Sequence, residues 1–127
     1  MGYIGRLVIG LLGMAAAARA AIVPFDFAGH WVGVVTQDRG KSQPIVADLA
    51  GTRTFDATAT VEAGNPCTGK GRQKPRGRVV IHLACGSGDK VAMHGTLDAA
   101  AAVISASYVS HQPHKHPERG TLTLTRQ

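Results

Sequence analysis

Three histidines fall within six residues: His111, His114 and His116, followed by Glu118, in the pattern H-x-x-H-x-H-x-E. Neutral imidazoles ligate zinc, copper and nickel, so three in one loop could converge on a metal. The spacing matches neither a zincin helix nor a structural finger. Pro113 and Pro117 stiffen the segment and restrict the turn that convergence needs. A solvated polar loop is the competing reading, and no cofactor is implied.

A second cluster is basic. Gly64–Gly77 holds Asn65-Pro66-Cys67 and then Lys70, Arg72, Lys74 and Arg76, with Arg78 just after it. It reads as a long loop that could bind an anionic envelope component or an acidic partner. It lacks the interleaved aromatics of a single-strand binder, so no nucleic acid is expected as partner. His82 and His94 form a third group. If Leu83 lies opposite Met93, a three-residue turn at Ser87–Asp89 puts the two histidines directly opposite, pointing outward. Nucleophilic chemistry finds no footing: there is no Gly-x-Ser-x-Gly, no P-loop and no dinucleotide fingerprint. The acids are scattered, so no carboxylate pair can be placed. No catalytic residue is therefore assigned, and an enzyme is not expected.

The elements that must carry these residues are strands. Apolar residues alternate with polar ones at Phe55, Ala57, Ala59 and Val61, and again at Val79, Ile81, Leu83 and Cys85. The same period runs through His30–Gln37, Gln43–Ala50 (Ile45, Ala47 and Leu49 inward), Val91–Leu97, Val103–His111 and Thr121–Thr125. Ile104, Ala106 and Tyr108 share one face. Turn signals at Asp38–Lys41, Gly51-Thr52, Gly86–Asp89 and near Asp98 separate the runs. Ala99–Ala102 reads as one helical turn or a wide loop. The count is seven strands, eight if Phe25-Asp26-Phe27 pairs. Short links imply an antiparallel meander. The expected fold is all-β, a small antiparallel up-and-down barrel of seven to eight strands, with a two-sheet sandwich as the alternative. Small inward residues (Ala47, Ala57, Ala59, Gly95, Ala106) leave the interior either narrow and packed or hollow.

Residues 1–20 read as a helical signal peptide. Arg6 precedes a twelve-residue apolar run, Leu7–Ala18, and Ala18-Arg19-Ala20 is a small-x-small site with cleavage expected before Ala21. The run is shorter than the roughly 20 residues of a transmembrane helix. No transmembrane segment is expected in the mature chain, 21–127, which reads as one domain. No cysteine lies near the cleavage point, so no lipid anchor is expected there. Without Arg6 and Arg19 the chain carries twelve basic and eight acidic residues, a net charge of +4. Periplasmic or secreted localisation follows, and a monomer is expected. In that compartment Cys67 and Cys85 are most simply a disulfide. That bond creates a tension. Pairing the loop ends at Ala63 and Gly77 leaves Cys85 roughly 26 Å along its strand. The four residues from Ala63 to Cys67 reach only about 14 Å. Either the register shifts or the basic loop folds back along the barrel.

Gly29-His30-Trp31 opens the first strong strand, after apolar Phe25 and Phe27. This resembles the Gly-x-Trp opening of lipocalin-like (calycin) barrels. The resemblance implies that Trp31 plugs one barrel end and that Arg126, after the last strand, packs over it. His30 is then expected to frame Trp31. The chain is also similar to small periplasmic inhibitors of secreted metalloproteases, which insert an N-terminal segment into the protease. Ala21–Ala28 would be that segment here, although Cys67 comes later than that family's first cysteine. Two functions are thus in view. One is an exported binding module holding a small apolar ligand, with Phe55, Met93 and Tyr108 lining its pocket. The other is a protein-interaction barrel, such as a protease inhibitor or envelope accessory protein, needing no cavity.

Overall fold

A computed structural model describes residues 22–62 and 64–127. The proposed leader and its cleavage site lie outside these residues. Alternation of apolar and polar residues produces eight antiparallel strands: β1 (Gly29–Gln37), β2 (Ser42–Ala50), β3 (Thr54–Val61), β4 (Cys67–Lys74), β5 (Arg78–Cys85), β6 (Lys90–Asp98), β7 (Val103–His111) and β8 (Glu118–Arg126). Each pairs with its neighbours in sequence, and β8 returns to β1 with Trp31 opposite Arg126 and Gln37 opposite Gly120. The sheet is a closed up-and-down barrel, and closure leaves no strand edge free for association.

The inner faces carry Ile45, Ala47, Leu49, Phe55, Ala57 and Ala59, among others, all buried. The outer faces of β3 and β8 present Thr54, Asp56, Thr58, Thr121, Thr123 and Thr125, all exposed. A barrel in lipid has the reverse arrangement, apolar outside and polar within. Among the described residues no helix is long and apolar enough to cross a membrane.

Two inward glycines permit the tight curvature of so small a barrel. A Cβ at Gly33 would stand 1.6 Å from the Thr123 carbonyl oxygen, and one at Gly95 2.2 Å from that of Ser105. Neighbouring backbones thus occupy the space of a side chain, the usual device for bending a strand at a barrel corner. Two other glycines make room for rings. Phe55 lies across Gly71 and Tyr108 across Gly120, each its register partner.

Three expectations need correction. Gly64–Gly77 is mostly strand, not a long loop: Cys67–Lys74 is β4, and only Pro75–Gly77 forms a 3₁₀ turn. The basic segment therefore does fold back along the barrel, which resolves the disulfide tension. Cys67 and Cys85 are register partners with Cα atoms 4.1 Å apart, and they are bonded. The eighth strand is thus β4 and not Phe25–Phe27, whose one ladder contact is a bridge from Asp26 to Thr52. The β5–β6 turn spans four residues, Gly86–Asp89, so Leu83 faces Val91 and His82 faces Ala92. His82 and His94 are consequently diagonal neighbours on the outer wall, ring centroids 6.3 Å apart. Ala99–Ala102 is a turn, held by the Ala101 N–H donating to Asp98 Oδ1.

Candidate ligand-binding site

The two ends of the barrel differ in kind. All three phenylalanines and the one tryptophan gather at the end where β1 begins. Phe27 and Trp31 are fully buried, and Phe27 stacks on Phe55 with centroids 4.1 Å apart. Phe25 packs edge-on to Phe27 and Trp31, at 4.9 and 6.4 Å. Trp31 Nε1–H donates to the Phe27 carbonyl (2.9 Å), so the indole is buried with its one polar group satisfied. Arg126 covers the cluster. Its guanidinium carbon lies 4.9 Å from the Phe25 centroid and 5.5 Å from that of Trp31, and Nη1 donates to the Asp26 carbonyl at 2.6 Å.

Residues leading into β1 are part of this closure. Phe27 N–H donates to the Gly51 carbonyl and Arg53 N–H to that of Phe25. Phe25 N–H donates to Gln73 Oε1, and Gln73 Nε2 donates to the Val23 carbonyl. The segment expected to reach into a protease is therefore built into the barrel end from Phe25 onward. His30 does not frame Trp31 either. It points outward, with Nδ1 2.9 Å from Asp48 Oδ1.

The opposite end holds a cavity of about 300 Å³. Its apolar wall includes Val35, Ile45, Ala59, Leu83, Met93 and Leu122, and the disulfide stands at its side. Met93 and Tyr108 line it as expected of a pocket wall; Phe55 does not, because it belongs to the aromatic end. Sequence patterning shows which residues face inward but not at which height the rings stop and space begins.

Polar residues surround the mouth of the cavity, among them Gln37, Gln43, Asn65, Asp89, Gln112 and Glu118. Tyr108 Oη donates to Glu118 Oε2 at 3.0 Å, and Gln37 Nε2 donates to Glu118 Oε1 at 3.1 Å. Burial first, then the Glu118 hydrogen bond and charge and the charge of Asp38, push the Tyr108 phenol well above its ordinary value. Buried Ser110 adds a hydroxyl to the lining beside Tyr108. Sequence reasoning missed this cluster. Gln37 and Glu118 are 81 residues apart and meet because β1 closes on β8.

The remaining candidates lie outside the cavity. His111 ends β7 on the outer wall, while His114 and His116 sit in the loop at the open end, all three exposed. Among the described residues no group of three or more histidines, cysteines and carboxylates is placed to hold a metal, so H-x-x-H-x-H-x-E does not converge. Lys70 and Arg72 project from the outer face of β4, Lys70 donating to Asp56 Oδ1 at 3.1 Å. Lys74 ends that strand at the aromatic end, and Arg76 lies in the 3₁₀ turn beyond it. Three of the four cations thus lie along β4 and only Arg76 lies in a turn, so they do not gather in one loop.

No family model matches the chain, and no curated protein matches it. Solved structures similar to it include EF1p2_mFAP2b bound to DFHBI, with a TM-score of 0.64 at 18% identity over 80% of this chain and 94% of that one. A redesigned β-barrel gives a TM-score of 0.63 at 22% identity over 80% and 91%. Another redesigned barrel, mFAP1, bound to DFHBI, gives 0.62 at 20% identity over 79% and 94%. At these identities the likeness is one of fold, a small closed β-barrel, and it agrees with the expected antiparallel up-and-down barrel.

Proposed function

We propose that this chain is an exported, non-catalytic binding module that takes a small apolar molecule into the open end of its barrel. The observation that carries this reading is the segregation of aromatics. Phe25, Phe27, Trp31 and Phe55 fill one end, and the other keeps a cavity of about 300 Å³ walled by aliphatic side chains. An apolar concavity with polar groups at its mouth fits the general form of a small-molecule site. Two barrels of the same fold are described bound to DFHBI, which supports the reading as an analogy of fold. The Cys67–Cys85 bond supports export, since disulfides persist in oxidising compartments.

The test is a fluorescence titration of residues 21–127 with N-phenyl-1-naphthylamine, a neutral apolar probe that brightens on leaving water. Saturable binding at one site is expected, and Ala59→Leu, which adds bulk to the cavity wall, should weaken it at least tenfold. A probe that stays dark, or binds Ala59→Leu equally well, overturns the reading.

A further inference from the structure

We infer that one side of the aromatic end is a docking surface for an anionic phospholipid bilayer, on which the barrel rests by that end. The surface is separate from the cavity at the open end and does not depend on it.

Five cations gather there. Arg53 lies in the β2–β3 turn, Arg72 and Lys74 on the outer face of β4, Arg76 in the 3₁₀ turn and Arg78 at the start of β5. The fold brings them side by side. Lys74 and Arg78 are register partners, and the Arg53 carbonyl accepts from Gln73 N–H at 2.7 Å. Arg53, Arg72 and Lys74 line one groove with Ile22 and Gln73. Four acids stand at the same end of the barrel, and none is paired with these cations. Asp48 meets His30, and Asp56, the one acid on β3, β4 or β5, meets Lys70. Asp26 and Asp98 accept from the N–H groups of Ala28 and Ala101. Asp98 ends the neighbouring β6, so it borders the surface from one side.

This arrangement works against folding. Like charges directly opposite on adjacent strands repel, as Lys74 and Arg78 do. Arg53 and Arg76 hold φ of 66° and 67°, the left-handed region that favours glycine. Departures from the locally preferred residue concentrate where a side chain serves binding. Val23 selects a bilayer over a soluble anion. It is 83% exposed, the most exposed large apolar side chain among the described residues. Its carbonyl accepts from Gln73 Nε2 at 2.7 Å, and Gln73 stands on β4 between Arg72 and Lys74. An apolar side chain held out among cations gains nothing from a soluble phosphate. At a bilayer it enters the headgroup layer while the cations meet lipid phosphates.

The experiment is co-sedimentation of residues 21–127, disulfide intact, with vesicles of phosphatidylcholine alone or with phosphatidylglycerol added to about one third. At low salt the mixed vesicles should be bound about tenfold more tightly or better, and about 0.5 M NaCl should abolish the difference. Arg72→Gln, Lys74→Gln and Arg78→Gln together should weaken binding about twentyfold or more. Their urea midpoint should not fall, because a like-charged pair is removed. The same number of charges removed at the open end, by Arg39→Gln, Lys90→Gln and Arg119→Gln, should weaken binding less than about threefold, which separates a surface from net charge. Val23→Ser should weaken vesicle binding about fivefold and leave binding of soluble inositol hexakisphosphate unchanged. No preference for the mixed vesicles overturns the inference. So does an equal loss from the two triple variants. Vesicle binding that Val23→Ser leaves intact also overturns it, since the surface then recognises phosphate and not a bilayer.

Discussion

Replacing Ala59 by leucine should stabilise the barrel, whereas the same change at Ala57, two residues away on β3, should destabilise it. Both alanines face inward and are almost equally buried, at 7% and 4% exposure. They differ in what lies in front of them. Ala59 faces the open-end cavity, and Ala57 lies nearer the aromatic end, away from it. A leucine adds three carbons. Moved from water into an apolar cavity, each contributes about 0.8 kcal/mol. Ordering the longer side chain costs about 0.5–1 kcal/mol. The net gain at Ala59 is then about 1.5 kcal/mol. At Ala57 the same carbons meet a filled core, and overpacking costs about 1–3 kcal/mol. The two variants should differ by roughly 2.5–4.5 kcal/mol, an interval on the order of 2 M in urea midpoint for a domain of this size. Trp31, the one tryptophan of the chain, reports unfolding by fluorescence. If Ala59→Leu loses stability as Ala57→Leu does, the open end is packed and the reasoning fails.

Three further outcomes follow from the same geometry. Replacing both Cys67 and Cys85 by alanine should cost about 3 kcal/mol, the chain entropy released for a loop of this length, read as a lower urea midpoint. Arg126→Ala removes the guanidinium from over Phe25 and Trp31 and its bond to the Asp26 carbonyl. It should cost about 1–3 kcal/mol and raise acrylamide quenching of Trp31 as the aromatic end loosens. Tyr108 gives a pH signature. Its folded value is raised, so the unfolded phenol ionises first, near its ordinary value of about 10. The stability it contributes is complete below that pH and is lost as pH climbs toward the folded value. Urea unfolding from pH 8 to 11.5 should therefore show an alkaline decline that Tyr108→Phe flattens; an unchanged slope would contradict the assignment.

Much of the barrel was legible because its strands bury one face. Seven of them carry apolar residues at every second position, as in Val79-x-Ile81-x-Leu83 and Phe55-x-Ala57-x-Ala59. β4 was not legible for the same reason in reverse. Its inward positions are Cys67, Gly69, Gly71 and Gln73, so no apolar period exists, and its outward Lys70, Arg72 and Lys74 imitate a solvated loop. The signal that could have found it was already present in the distance between Ala63 and Cys85, which a folded-back strand satisfies and a loop does not. Phe25 and Phe27 alternate like a strand, yet their rings serve as a plug. Trp31 and Arg126 could be paired in advance because the Gly-x-Trp opening resembles a known end closure. The cluster of Gln37, Tyr108 and Glu118 could not, since it depends on the register at which β8 meets β1. The three clustered histidines misled for a local reason: His111 points out from the end of a strand, while His114 and His116 sit in the exposed loop after it.

Whether the open end receives a ligand decides the function of the barrel. Met93 lies in the cavity wall and is the one methionine beyond residue 20. Labelled with ¹³C at its methyl, residues 21–127 give a single methionine resonance. Titration with 1-octanol should move that resonance saturably, with a one-site curve that Ala59→Leu weakens. A Met93 methyl signal that stays fixed through saturating octanol would mean that the cavity is not a binding site.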